Sequence, residues 1–254
     1  MDNSRFLECL ASDFARLRSV VAIDPAGQVP TCPGWSVADL TRHVGEVYLH
    51  KTLAMREGAE PEPWPPKELA DEEPLALLDR AHAGLVAEFA ARQPEDPAGS
   101  WYMPDQTVGF WIRRMAQETV IHRIDGELGT GQPVAPVPAD LAIDGIDELL
   151  KVFVAFGVAE WGEYFSDILA GSPGRTCTLR TDGAAWRVRT GPGTFAVEDG
   201  AGGEPTDVTV SGPPTALLRW VWNREGAGEP RDVTVDGPPE AVEELRRCIV
   251  TATQ

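Results

Sequence analysis

Residues 107–127 read TVGFWIRRMAQETVIHRIDGE, and this stretch predicts a long helix with reactive side chains on its buried face. Four of its side chains recur at spacings of four, three and four residues: Trp111, Met115, Glu118 and His122. That spacing places them on one helical stripe, and the apolar members indicate that the stripe faces a core. A carboxylate and an imidazole on such a stripe need partners, because burying them unpaired is unfavourable.

A divalent metal ion would satisfy both polar side chains. Glu118 and His122 are one helical turn apart, a spacing at which two side chains can converge on one ion. A third ligand is expected from a helix predicted over residues 37–56, where His43 and His50 share an apolar stripe. These two histidines are separated by two turns, about 10 Å along the helix axis, and cannot easily bind one ion together.

Spacing alone leaves simpler interpretations open. A buried Glu118–His122 pair can form a hydrogen bond without any metal. His82, on the predicted third helix, is either a core histidine or a substitute ligand. Asp125 follows His122 by three residues, so it either orients that ligand from behind or lies at the surface near the helix end.

The first half of the chain predicts an all-α four-helix bundle. Ser36 is a good N-cap for the second helix, and the Pro-rich loop EPEPWPPKE, residues 60–68, separates the second helix from the third. Four helices with this pattern of loops predict a bundle over residues 1–131, followed by a Gly- and Pro-rich linker. The predicted helices span residues 3–21, 37–56, a stretch that begins near Pro74, and 107–127.

The second half has a different pattern. A helix is predicted over residues 140–157, and short apolar runs then indicate β-strands. The strand candidates are residues 176–180, 185–190, 194–197, 207–210 and 232–235. The last two are identical DVTV runs within DVTVSGPP and DVTVDGPP, and a helix can start on the proline after each. Residues 132–254 are therefore predicted to form a small α+β domain.

Composition narrows the class of function. The 254 residues include 22 Lys and Arg against 40 Asp and Glu, a formal charge of -18 that repels phosphate backbones and anionic lipid surfaces. We therefore expect no nucleic-acid or membrane binding. The N-terminus lacks the basic and apolar regions of a signal peptide, so we expect a cytoplasmic location. We also expect a monomer or a homodimer. Four widely spaced cysteines predict neither a disulfide framework nor a zinc–thiolate site.

Two segments together resemble a known family. VPTCPGWSVADLTRHVGEV, residues 29–47, and RRMAQETVIHRID, residues 113–125, resemble the actinobacterial mycothiol-dependent maleylpyruvate isomerase-like proteins. The resemblance covers nearly the whole chain. It implies a DinB-like metal-binding bundle followed by a domain related in fold to sterol-carrier proteins. It also matches His43, Glu118 and His122 to the family's zinc ligands, and so favours His43 over His50.

The resemblance implies a metalloenzyme that uses a divalent ion, expected to be zinc, and mycothiol or a similar low-molecular-weight thiol. Three protein ligands leave a coordination position open, and an open zinc can lower the pKa of a bound thiol. As an isomerase, the thiolate would add to an activated cis double bond, and rotation and elimination would give the trans product. As a transferase, it would attack an electrophile and stay attached.

An anionic substrate would need a local cation in so acidic a chain. The family resemblance implies an arginine from the second domain near the metal, and Arg224 is the best match for this catalytic contact. Other candidate cations flank the ligand helix or lie beside Arg224 on the helix predicted after the first Gly-Pro-Pro: Arg113, Arg114, Arg123 and Arg219.

Two further function classes fit the same pattern. The chain could be a non-catalytic small-molecule-binding or sensor protein that keeps the bundle. It could also be a metal-dependent hydrolase that uses zinc-bound water. Dependence of turnover on an added thiol separates these alternatives from the thiol-dependent enzyme.

Overall fold

The computed structural model describes residues 1–225 and 232–253, which form two compact units. The first unit is Met1–Ala135 and the second is Pro136–Gln254. Within the described residues, the first unit is helical and the second combines helices with a β-sheet. The predicted fold class, a four-helix bundle followed by a small α+β domain, is confirmed.

Long helices build the first unit. Helix α1 packs mainly against α4, and α2 packs against both α3 and α4. A 3₁₀ turn at Lys67–Asp71 lies in the Pro-rich connection between α2 and α3. The helices are α1 (Asn3–Val21), α2 (Val37–Glu57), α3 (Pro74–Ala91) and α4 (Val108–Gly129).

The start of α2 is fixed by the predicted cap. The Ser36 hydroxyl accepts a hydrogen bond from the Asp39 backbone N–H at 3.2 Å, and the Asp39 carboxylate accepts one from the Ser36 backbone N–H at 2.9 Å. This reciprocal arrangement satisfies two N–H groups that a helix start otherwise leaves unpaired. Thr107 caps α4, as predicted, through a single hydrogen bond that its hydroxyl accepts from the Phe110 N–H.

Helices α2 and α3 approach each other closely at Gly45. A β-carbon at this position would lie 2.9 Å from Leu77 Cγ and 3.0 Å from the Leu78 backbone nitrogen. Both distances are shorter than ordinary van der Waals contact, so a side chain here would push the helices apart. The absence of a side chain therefore sets the position of the first half of α2, which carries His43.

Helix α4 is buried around most of its circumference, which the single apolar stripe did not predict. Its buried residues include Trp111, Ile112, Met115, Val120 and Ile124, which lie on several faces. Each charged side chain on such a buried helix needs a partner of opposite charge or a ligand within the protein. Its ionisable residues are therefore expected in ion pairs or at a ligand site.

A long helical segment opens the second unit. Helix α5 (Ala139–Glu148) continues through a π-helical segment, Leu149–Ala155, into α6 (Phe156–Glu160). This run confirms the helix predicted over residues 140–157 and extends it by a few residues. A 3₁₀ turn at Gly162–Phe165 and the short helix α7 (Ser166–Leu169) then lead to the sheet.

The sheet of the second unit has the strand order β3-β2-β1-β4-β5 in the described residues. Strands β1 and β4 are parallel, and the other neighbouring pairs are antiparallel. Each Gly-Pro-Pro is followed by a helix that starts on its second proline, as predicted: α8 (Pro214–Val221) and α9 (Pro239–Thr253). The strands are β1 (Arg175–Thr181), β2 (Ala184–Gly191), β3 (Thr194–Asp199), β4 (Val208–Ser211) and β5 (Thr234–Asp236).

Among the described residues, no helix combines the length and the apolar character that crossing a bilayer requires.

Replacing Ser36 with alanine should lower the free energy of unfolding by about 1 kcal/mol, because the start of α2 loses its side-chain cap. Urea denaturation followed by circular dichroism measures this change. Ser19→Ala is the matched control, since the exposed Ser19 hydroxyl bonds only a carbonyl of its own helix at 2.7 Å. Equal losses in the two variants would contradict a special role for the cap.

Candidate metal centre

Helices α2 and α4 bring three potential ligands together. One donor atom from each of His43, Glu118 and His122 lies within 4.8 Å of the other two. Glu118 Oε1 is 3.1 Å from His122 Nε2 and 3.6 Å from His43 Nε2. The same carboxylate oxygen therefore faces both histidines.

These separations suit a small divalent cation. Ligand bonds of about 2.0–2.1 Å in a tetrahedral arrangement place donor atoms about 3.3 Å apart. The two separations from the Glu118 oxygen, 3.1 and 3.6 Å, lie on either side of that value, and the two histidine donors lie within 4.8 Å of each other. Imidazole nitrogens with one carboxylate oxygen are also a donor set that zinc accepts. The three residues thus fit a metal ion with one position open to another ligand.

Burial differs among the three residues. The His122 side chain is 10% exposed and that of Glu118 is 15% exposed, whereas that of His43 is 37% exposed. The Trp35 ring contacts the His43 ring with a centroid separation of 4.9 Å. Of the three side chains, that of His43 is therefore the most accessible to solvent.

Asp125 orients His122 from behind. It is fully buried, and its Oδ2 accepts a hydrogen bond from His122 Nδ1 at 2.9 Å. The same carboxylate accepts hydrogen bonds from the Thr31 hydroxyl at 2.5 Å and the Cys32 thiol at 3.7 Å. The interpretation of Asp125 as a surface carboxylate is therefore wrong. Holding Nδ1 in this way leaves Nε2 as the nitrogen available to a metal.

The site concentrates opposite charges. Burial acts to raise the pKa of the Glu118 carboxyl, but the charge of His122 and hydrogen bonds from both histidines hold that pKa well below its usual range. Burial likewise acts to lower the pKa of His122, yet the Glu118 charge and the Asp125 hydrogen bond raise it to about 9. Both pKa shifts therefore favour a carboxylate paired with an imidazolium.

Both halves of the chain match models of one protein family. Residues 7–126 match the mycothiol maleylpyruvate isomerase N-terminal domain, and residues 140–244 match the C-terminal domain of the same family.

The chain belongs to the mycothiol maleylpyruvate isomerase family. That membership makes it an isomerase-like enzyme and confirms the resemblance seen in the sequence.

Solved structures share the whole two-domain fold. The crystal structure of the mycothiol-dependent maleylpyruvate isomerase is 17% identical with a TM-score of 0.61, over 94% of this chain and 96% of that one. A His-to-Ala mutant of that enzyme is 15% identical with a TM-score of 0.64, at the same coverage. At such identities the likeness shows the fold alone. Comparison with curated proteins gives no significant match.

The other two histidines of this family member lie outside the candidate metal centre. His82 stacks on Phe14 with a centroid separation of 3.4 Å, and burial lowers its pKa to about 4. His50 contacts the Trp64 ring at 4.7 Å. Neither belongs to a three-donor group among the described residues. His82 is therefore a core histidine and not a substitute ligand.

Two arginines of α4 are already engaged in the bundle. Arg123 is buried between Asp13 at 2.8 Å and Glu127 at 2.7 Å, so it does not serve as an anion contact. Arg114 donates to Glu118 Oε2 at 2.5 Å. The spacing of four residues between Arg114 and Glu118 was a signal that the sequence interpretation missed.

Arg224 lies beyond the helix on which it was predicted. Helix α8 ends at Val221, and Asn223 adopts a positive φ of 55° that stops the helix. The Arg224 side chain is buried and donates from Nη1 to the Trp222 carbonyl at 2.7 Å. Its contact with a substrate stays a prediction.

Replacing His122 with alanine should abolish near-stoichiometric metal binding, because it removes one of three donors. Elemental analysis of protein purified without chelator measures the effect. His82→Ala is the matched control and should retain its metal, since His82 packs on Phe14 away from the site. Wild-type metal content in His122→Ala would contradict the assignment.

Zinc affinity should rise about tenfold per pH unit between about pH 6 and 8, because the metal must displace the proton that His122 holds below its raised pKa. Titration with chelator-buffered zinc measures this slope. Asp125→Asn removes one group that raises the pKa of His122, so its pH dependence should move to lower pH. An affinity independent of pH would show that His122 is neutral before the metal binds.

Proposed function

We propose that this chain is a divalent-metal-dependent isomerase that uses mycothiol or a similar low-molecular-weight thiol. Its substrate is a small, anionic electrophile with a cis double bond. The observation that carries the proposal is the convergence of His43, Glu118 and His122 with donor separations that suit one ion. Family membership supports the reaction class, and the related solved structure is that of a mycothiol-dependent isomerase.

His43, Glu118 and His122 would hold the ion, and zinc fits the donor set best. When bound there, the ion would supply a Lewis acid that lowers the pKa of a thiol and so makes the thiolate available at neutral pH. The chain itself contributes ligands that are oriented in advance. Asp125 fixes the His122 ring, and the carboxylate of Glu118 presents one oxygen to both histidines.

An anionic substrate has to overcome the formal charge of -18 on the chain. Arg123 neutralises Asp13 and Glu127 inside the bundle, which excludes it as a substrate contact. We propose Arg224 for that contact, since a guanidinium can bind a carboxylate through two hydrogen bonds.

The test is an assay of the zinc-loaded protein with mycothiol and maleylpyruvate, followed by separation of the cis and trans products. We expect isomerisation that requires both metal and thiol and leaves the thiol unconsumed. Stoichiometric consumption of the thiol would instead indicate a transferase. Turnover without thiol would indicate a hydrolase that uses metal-bound water. Ligand binding with no turnover across a panel of electrophiles would favour a sensor.

The same assay tests Arg224. Arg224→Met should reduce kcat/KM by at least about tenfold, because a charge-assisted contact to the substrate is lost. Arg189→Met is the matched control, since Arg189 is half exposed and pairs with Glu198 on the sheet. Similar kinetics in both variants would show that Arg224 does not contact the substrate. The assignment of the metal ligands would be unaffected.

A further inference from the structure

The two carboxylate oxygens of Glu118 have different surroundings. Oε1 faces the two histidine nitrogens, at 3.1 Å from His122 and 3.6 Å from His43. Oε2 accepts a hydrogen bond from Arg114 Nη2 at 2.5 Å. One oxygen of the carboxylate therefore faces the two histidine donors, and the other is bound by the guanidinium.

Helix geometry holds Arg114 in place. It precedes Glu118 by one turn of α4, so the two side chains leave the helix on the same face. Its side chain is only 5% exposed, and a buried guanidinium is strongly disfavoured unless a carboxylate matches it. The rigid planar arrangement of guanidinium donors limits how far the Glu118 carboxylate can rotate.

We propose that Arg114 is a positioning residue that keeps Glu118 a single-oxygen ligand and so preserves the coordination position for the thiol. This inference rests on the proposed function, because it requires a metal and a thiol at the site.

A metal ion at this site would offer only a few coordination positions. A carboxylate can bind a metal through one or both oxygens, and zinc in catalytic sites takes four ligands and only sometimes five. Two histidines and a two-oxygen Glu118 would already supply four donors. Arg114 engages Oε2, so three donors remain and the fourth position stays open to a thiolate.

Cobalt(II) reports this geometry directly. It can replace zinc in such sites, and its visible absorption is far more intense in four-coordinate than in five- or six-coordinate sites. We expect a four-coordinate spectrum for the wild type once a thiol such as 2-mercaptoethanol is added. In Arg114→Met the carboxylate is free to turn, so the spectrum should weaken and half-saturation should need about tenfold more thiol.

Two further variants sharpen the comparison. Arg114→Lys keeps the charge but lacks the planar donors, so it should restore the wild-type spectrum only in part. Arg56→Met is the control for loss of an Arg–Glu pair elsewhere in the bundle, since Arg56 donates to Glu88 at 2.7 Å. It should leave the cobalt spectrum unchanged. Circular dichroism of each metal-free variant monitors the fold.

The cobalt experiments separate failure of the positioning role of Arg114 from failure of the proposed function. A wild-type protein that binds no cobalt overturns both. Stoichiometric cobalt in the wild type, with the same spectrum and thiol affinity in Arg114→Met, overturns the positioning role alone. X-ray absorption spectroscopy of the zinc-loaded wild type needs no variant, and two Glu118 oxygens bound to the ion would also overturn it.

Discussion

Burial of charge along α4 is the constraint on which the first unit depends. This helix is enclosed on most faces, so each ionisable side chain it carries has to be matched within the protein. Arg123 is matched by Asp13 and Glu127, which ties α4 to α1. Elsewhere on the helix, the same requirement is met by a chain of alternating charges that runs through the candidate metal ligands: Arg114, Glu118, His122 and Asp125.

This chain of charges holds the candidate ligands close together. The Glu118 carboxylate and the His122 imidazolium attract each other, and Asp125 holds the far side of the ring. A metal bound there would replace a proton and would find its donors already oriented. Two of the three donors lie on one helix, so their spacing depends little on how the helices pack. His43 is the donor whose distance depends on packing, and the close contact of α2 with α3 at Gly45 supports its placement.

Local signals in the sequence predicted most of the fold. The cap at Ser36 and the prolines of the two Gly-Pro-Pro turns act over a few residues, and the structure has helices beginning at each of them. The Glu118–His122 pair could be predicted for the same reason, because a spacing of four residues places two side chains on the same face of a helix. Contacts between segments that are distant in the sequence could not be predicted from it. Burial of Asp125 depends on a loop more than 90 residues earlier, and the partner of Arg123 on α1 is 110 residues away.

The loop before α2 has a consequence for the evolution of the site. Its residues 29–35 form a turn closed by a hydrogen bond from the Val29 N–H to the Trp35 carbonyl, with Gly34 at a φ of 85°. Surface loops usually accept insertions and deletions. This one carries the hydroxyl and the thiol that bind Asp125, so a change in its length would loosen the His122 ring although no residue in it is a ligand. Natural variation in loop length should therefore be tolerated in the Pro-rich connection after α2 and selected against here.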